Sequence, residues 1–270
     1  MTDFTGFENL NCSDTNVTDC PRLLSGNLSA LRVEDVASCI PLMAAYHLVN
    51  GTYSNLYNCT DSMNITVIPS ALNMTYDHSY QGVNMSQVII SHVTPDEAHV
   101  HSGGNSTAYV TNAYPARDGH VYLIDRVLIP PLFLNYTLNA FNISQPLNTT
   151  EMLGGNQTFT VFLPINQANT TLPSNATSYV LPQLFYLNQT EPTTVNLTAL
   201  NGNQIMLSVQ QNNTVTLNGN VTVVRGNIPL VNGVLHLVND TLGAANISNT
   251  AAAYALRQNM NHWRHWIHNH

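Results

Sequence analysis

One phrase occurs twice in this chain, and it constrains the fold more than any other feature. Asp118-Gly119-His120-Val121-Tyr122-Leu123-Ile124-Asp125-Arg126-Val127-Leu128 returns as Asn232-Gly233-Val234-Leu235-His236-Leu237-Val238-Asn239-Asp240-Thr241-Leu242. Each copy sets a turn-forming Asn or Asp with Gly before a β-branched and aliphatic run, the pattern of a tight turn feeding a half-buried strand. Two copies predict two similar domains, and 270 residues are enough for two ordinary cores.

A weaker echo precedes each copy. Ala45-Tyr46-His47-Leu48-Val49-Asn50-Gly51-Thr52-Tyr53 is answered by Phe185-Tyr186-Leu187-Asn188-Gln189-Thr190-Glu191-Pro192, so the order of motifs is shared. A further run, Phe159-Thr160-Val161-Phe162-Leu163-Pro164-Ile165-Asn166-Gln167-Ala168, reads as a strand followed by Pro and a polar turn. In these elements the sequence resembles the fasciclin (FAS1) family, whose domains carry a Tyr-His element and close on a strand of the form Asn-Gly-x-x-His-x-Ile-Asp-x-x-Leu. The resemblance implies an α+β fold: two fasciclin-like domains, each a twisted β-sandwich or wedge with short helices on one side. It also implies adhesion, with Tyr46, His47 and His236 as the binding residues carried over.

The departures from the pattern are specific. Tyr122 stands where the first copy should have its terminal-strand His, and in the second copy Asn239 replaces Asp and Leu187 replaces the His after Tyr. Nothing before Tyr46 resembles the Phe159 run, so the first domain is expected to be incomplete at its N-terminus. The short stretch between Asn166 and Tyr186 predicts a thin helical layer in the second. The expected division is 1–131, 132–245 and a His/Trp-rich helical tail at 246–270, with Pro130-Pro131 at the join because a proline pair continues neither helix nor central strand.

Composition points to a compartment. Only 8% of residues are charged, against about 25% in an average soluble protein, so something other than charge must hydrate the surface. About twenty Asn-x-Ser/Thr sequons supply the candidate, since N-glycans are bulky, hydrated and confined to the surface of secreted proteins. The expected sites are Asn16, Asn27, Asn50, Asn58, Asn64, Asn73, Asn84, Asn105, Asn135, Asn142, Asn148, Asn156, Asn169, Asn175, Asn188, Asn196, Asn212, Asn220 and Asn246. Asn239 is set aside because it lies in the closing strand. Cys12, Cys20, Cys39 and Cys59 are even in number and lack Cys-x-x-Cys spacing, which predicts two disulfides with three pairings open, the short Cys12–Cys20 loop favouring that one.

An extracellular or cell-surface destination by the secretory route follows, with the vacuole as another end of that route. Met1 to Thr5 lacks the basic and apolar pattern of a signal peptide, so the expectation is a mature fragment or a misplaced start. No apolar run reaches the roughly 18 residues of a membrane span. The net charge of −8, with seven arginines and no lysine, argues against nucleic acid as a partner, since such binding needs clustered cations. A cell-surface or matrix protein, a glycan, or a second copy of the chain fits better.

Along the chain, Leu31, Val33, Val36, Ala37 and Ile40 predict a helix that Pro41 ends or kinks. Strands are expected at Ile65–Ile68, Val88–Val93, Ala108–Thr111 and Val121–Leu128, with an inserted loop over 69–105. In the second copy they are expected at Ile205–Val209, Thr214–Leu217 and Asn220–Val224, with a hairpin turn at Asn218-Gly219 and a terminal helix over 250–267.

Histidines supply the remaining candidates. His92, His99 and His101, with Asp96 and Glu97, are the best metal candidate, because His-x-His on a strand puts two imidazoles on one face; a solvated, pH-sensitive loop is the blander alternative. His262, His265, His268 and His270, with Trp263 and Trp266, offer a metal site or a membrane-interface segment, with a frayed terminus as the blander reading. No nucleophile elbow, phosphate loop or zinc-protease helix is present, so nothing argues for an enzyme, and no cofactor is expected. The function expected is adhesion or cell-wall and matrix organisation; the alternatives are a carbohydrate-binding or carbohydrate-active secreted protein and a metal-binding surface protein.

Overall fold

A computed structural model of the chain describes residues 33–51, 53, 56, 64–75, 84–143, 158–165, 176–187 and 192–242. The terminal helix expected over 250–267 lies outside them. The described residues are mostly β, in a five-stranded and a seven-stranded sheet, with two helices and one short 3-10 turn.

Helix α1 (Val33–His47) runs through Pro41 and ends on the Tyr46-His47 pair. Proline removes one helical hydrogen bond, yet the helix continues because Cys39, Leu42, Ala45 and Tyr46 bury a stripe against the first sheet. That sheet is an antiparallel meander of β1 (Asn64–Thr75), β2 (Asn84–Val93), β3 (Ala98–His101), β4 (Thr107–Ala116) and β5 (Gly119–Ile124). Ile68, Leu72, Ile89, Val93, Val100 and Val110 turn one face of it toward α1.

The inserted loop expected over 69–105 is thus corrected: most of that span is sheet. Pro69 hid it. The residue sits on the outermost strand where the ladder register shifts between Pro69 and Asn73, a place that tolerates a missing N–H.

After helix α2 (Leu134–Ala140) come β6 (Phe159–Pro164), a 3-10 turn (Ala176–Tyr179) and β7 (Val180–Leu181). A second meander follows, of β8 (Thr193–Thr198), β9 (Gln204–Val209), β10 (Val215–Leu217), β11 (Val221–Leu230) and β12 (Gly233–Val238). β12 then takes β6 along its far edge in parallel, from Gly233 opposite Phe159 to Val238 opposite Pro164, and β6 pairs onward with β7. The Asn218-Gly219 turn forms as expected: both residues take positive φ, 51° and 84°, and the Asn220 N–H donates back to the Leu217 carbonyl at 3.3 Å.

The two closing hairpins share their register. Val110 pairs with Ile124 and, one bulge later, Asn112 with Leu123; Val223 pairs with Val238 and, across a matching bulge, Arg225 with Leu237, with a second irregularity between Arg225 and Ile228 that β4 lacks. Pro115 faces His120 as Pro229 faces Val234, each beyond the reach of the neighbouring β3 or β10, where no ladder needs a proline N–H. Both strands therefore run further than the Thr111 and Val224 ends expected for them. At the close, Asp125 Oδ1 accepts the Tyr109 N–H at 2.8 Å, and Asn239 Oδ1 accepts the Thr222 N–H at 2.8 Å. Each of these two residues also donates its own N–H to the same partner's carbonyl.

Candidate functional site

Tyr46 and His47 occupy the last turn of α1 and face opposite ways. Tyr46 is buried, its hydroxyl donating to the Val88 carbonyl at 2.7 Å, and burial raises the phenol well above its usual range. His47 is exposed, with Nδ1 2.6 Å from the Met43 carbonyl and Nε2 accepting the Leu128 N–H at 2.9 Å. The second contact fixes the tautomer: Nε2 accepts, so Nδ1 carries the proton and donates. The ring ties the end of α1 to the chain just beyond β5.

His236 is wholly enclosed. Nδ1 accepts the Asn227 N–H at 3.0 Å, Nε2 donates to the Phe185 carbonyl at 2.9 Å, and the ring stacks on Phe162 at 5.1 Å. Burial lowers its pKa to about 4, with the Phe185 carbonyl pulling weakly the other way. The two halves of the chain thus use histidine at complementary places. Tyr122, standing in for His236, donates its hydroxyl to the Tyr53 carbonyl. Leu187, standing in for His47, is buried and held by Asn227, whose Oδ1 accepts the Leu187 N–H at 2.7 Å while Nδ2 donates to its carbonyl at 2.9 Å. Of the three carried-over binding residues, only His47 meets solvent.

His92, His99 and His101 share one face of the first sheet, on β2 and β3, so they belong to strands and not to a loop. His92 lies directly across from His99 and stacks on it at 5.2 Å, and His101 sets its edge against both at 5.2 and 5.0 Å. Burial first, and neighbouring imidazoles second, lower His92 to about 4 and His101 to about 3. His101 Nδ1 is engaged with Thr107 Oγ1 at 2.8 Å, and among the described residues no three side chains are placed to hold a metal ion. The rings pack on one another instead. The tail residues His262, His265, His268 and His270, with Trp263 and Trp266, lie outside the described residues.

The sequon asparagines whose side chains are described, Asn50, Asn73, Asn105, Asn135, Asn142, Asn196, Asn212 and Asn220, are all exposed, while Asn239 is half-buried and hydrogen-bonded. Asn64 and Asn84 open β1 and β2. Asn16, Asn27, Asn58, Asn148, Asn156, Asn169, Asn175, Asn188 and Asn246 lie outside the described residues, as do Cys12, Cys20 and Cys59. Cys39 is buried in the first core.

The exposed apolar surface is one-sided. Among the described residues every large hydrophobic side chain left exposed, Val224 excepted, falls between Ile40 and Val127. Tyr114 and Val121 face each other across β4 and β5, with Leu123 two residues on. Their register counterparts, Ile228, Leu235 and Leu237, are buried under Leu134 and Leu138 of α2 and Phe159, Val161 and Leu163 of β6.

Residues 136–244 match the Fasciclin domain family model. The match begins within α2, includes β6 and the whole second meander, and ends just past the Asn239 turn. Among solved structures, the chain is similar to a FAS1 domain pair from the insect cell adhesion molecule fasciclin I. The identity is 14%, with 83% of this chain and 86% of that chain covered, and the TM-score is 0.29. No curated protein matches. Among the described residues no helix is long and apolar enough to cross a membrane.

Sequence reasoning missed two residues that organise this region. Asn227, at φ 55°, serves both Leu187 and His236, and its signal was the Gly226-Asn227-x-Pro229 run inside an apparent strand. Arg225 crosses from β11 to the first sheet, donating to Asn105 Oδ1 and to Thr107 Oγ1 at 3.4 Å and lying over the Phe141 ring at 5.1 Å; a lone arginine carries no pattern that would have singled it out.

Proposed function

We propose that the chain is a secreted or surface-displayed glycoprotein that works by non-covalent contact, in adhesion or in the organisation of a cell wall or matrix. The observation that carries this reading is the Fasciclin-domain match over residues 136–244, since such domains serve as adhesion modules outside the cell. The exposure of every sequon asparagine whose side chain is described, Asn239 excepted, supports a glycan coat over a surface poor in charge. Disulfides among the four cysteines belong to the same reading, and the burial of Cys39 in the first core supports them.

Two tandem copies account for the shared pairing next to the turns of the closing hairpins and the common strand order of the two meanders. The boundaries proposed are 1–131 and 132–245, with a tail at 246–270; the separate cores of the two sheets support the division at Pro130-Pro131. With Tyr46 and His236 in those cores, the contact surface is assigned to His47 and the apolar residues about it, Leu48 and Val127, and the partner is a cell-surface or matrix protein or a glycan.

Protein expressed through a secretory route should attach to cells or matrix and lose mass in discrete steps on enzymatic deglycosylation. Substituting His47, Leu48 and Val127 with Ser should reduce attachment without altering the melting temperature by more than a few degrees. Unglycosylated product together with no attachment to any cell or matrix tested would overturn the proposal.

A further inference from the structure

The two closing hairpins agree in register and differ in what covers them. Val121 and Leu123 of β5 are 53% and 46% exposed, whereas Leu235 and Leu237, their counterparts on β12, are 0% and 4% exposed. Tyr114 is likewise 50% exposed against 2% for Ile228. The covering layer on β12 is supplied by β6 and α2, and among the described residues nothing pairs with the far edge of β5.

The glycines at the strand starts add an independent mark. At Gly233 a Cβ would come within 2.6 Å of the Phe159 carbonyl oxygen, so a side chain there would push β6 away. Gly119 stands at the same place in the first hairpin, where a Cβ would meet none of the described residues within 4 Å. The first copy keeps the clearance that a parallel strand needs without showing the strand.

We propose that the open edge of β5, with the face formed by Tyr114, Val121 and Leu123, receives an extended apolar strand from a partner chain, laid parallel to β5 as β6 is laid along β12. This rests on the reading of the two meanders as copies. The occupant is defined by what β6 presents: an aromatic residue opposite the glycine and apolar residues at alternate positions thereafter, Phe159, Val161 and Leu163 covering the exposed face. Main-chain hydrogen bonds to the free edge supply affinity, and the alternate side chains supply selectivity.

The test uses the full chain and a fluorophore-labelled peptide copying residues 157–166, followed by fluorescence anisotropy and by amide exchange with and without peptide. Saturable one-to-one binding with slowed exchange confined to Gly119–Ile124 is expected. Leu123→Asp, a change at an exposed position, should weaken binding about tenfold or more, while Val224→Asp on β11 should leave it unchanged. Absence of saturable binding, equal binding by Leu123→Asp, or protection at β12 overturns the proposal, as does a dimer in sedimentation that takes up no peptide. Should Leu123→Asp fail to fold, the exchange footprint on the unaltered chain decides alone. Exchange in the free chain separates the underlying reading: slow amides at both Asp125 and Asn239 support the copies whatever the peptide does, and a fast Asp125 amide removes them.

Discussion

The hairpins β4–β5 and β11–β12 share the pairing next to their turns, one bulge and closing carboxamide or carboxylate turns, yet among the described residues one is packed on both faces and the other on one. Register is set within the hairpin, by turn length and by a bulge that any chain of this local pattern can form. Burial is set by what lies beside it. The comparison separates the part of such a hairpin's setting that local sequence specifies from the part that a distant strand must complete.

The largest effect should come from trimming equivalent positions. Leu235→Ala leaves a cavity under α2 and β6 and should destabilise the second sheet by about 4 kcal/mol, whereas Val121→Ala, at the matching place, should change stability by less than about 0.5 kcal/mol. Urea unfolding followed by probes in each sheet measures both, and equal losses would erase the contrast.

The histidines sharpen it next. His236→Leu leaves the Asn227 N–H and the Phe185 carbonyl unpaired in the core and should cost about 3 kcal/mol. His47→Leu deprives the Leu128 N–H of its acceptor beside solvent, which can replace it, so about 1 kcal/mol is expected. Thermal unfolding of the two variants ranks them, and the reverse order would show that His47 carries more than a tie between α1 and β5.

Acid should reveal the same buried ring. The folded-state pKa of His236, about 4, lies below the unfolded value near 6.5, so between those pH values the unfolded chain binds a proton that the folded chain refuses. Stability is therefore full above pH 6.5, falls as pH drops through the window, and levels off below about 4. The loss amounts to about 3 kcal/mol from this residue, at roughly 1.4 kcal/mol per unit. His92 and His101 on the first sheet act with the same sign. Denaturant midpoints across this range should lose part of their slope in His236→Leu, and an unchanged slope would move the effect to the first sheet.

Much of this was legible in the sequence wherever local pattern decides. The repeated phrase located both closing strands, the Asn218-Gly219 turn formed where expected, and the Phe159 run is the strand that covers β12. Pro69, Pro115 and Pro229 account for the strands drawn too short, because a proline forbids a ladder bond only where a neighbour is present to make one, and topology supplies that knowledge. The burial of Tyr46 and the outward turn of the adjacent His47 both depended on where α1 met the sheet. Asn227 and Arg225 act through partners about 40 and 120 residues away, which single-residue patterns do not encode.

Residue-resolved amide exchange on the free chain tests the central contrast most directly. Amides of β12 should be protected throughout Gly233–Val238, because β11 and β6 bond its two edges; those of β5 should alternate, slow where they bond β4 and fast where they face the open edge. Uniform protection along Gly119–Ile124 would contradict the account, since it would mean that the first hairpin is already flanked on both sides.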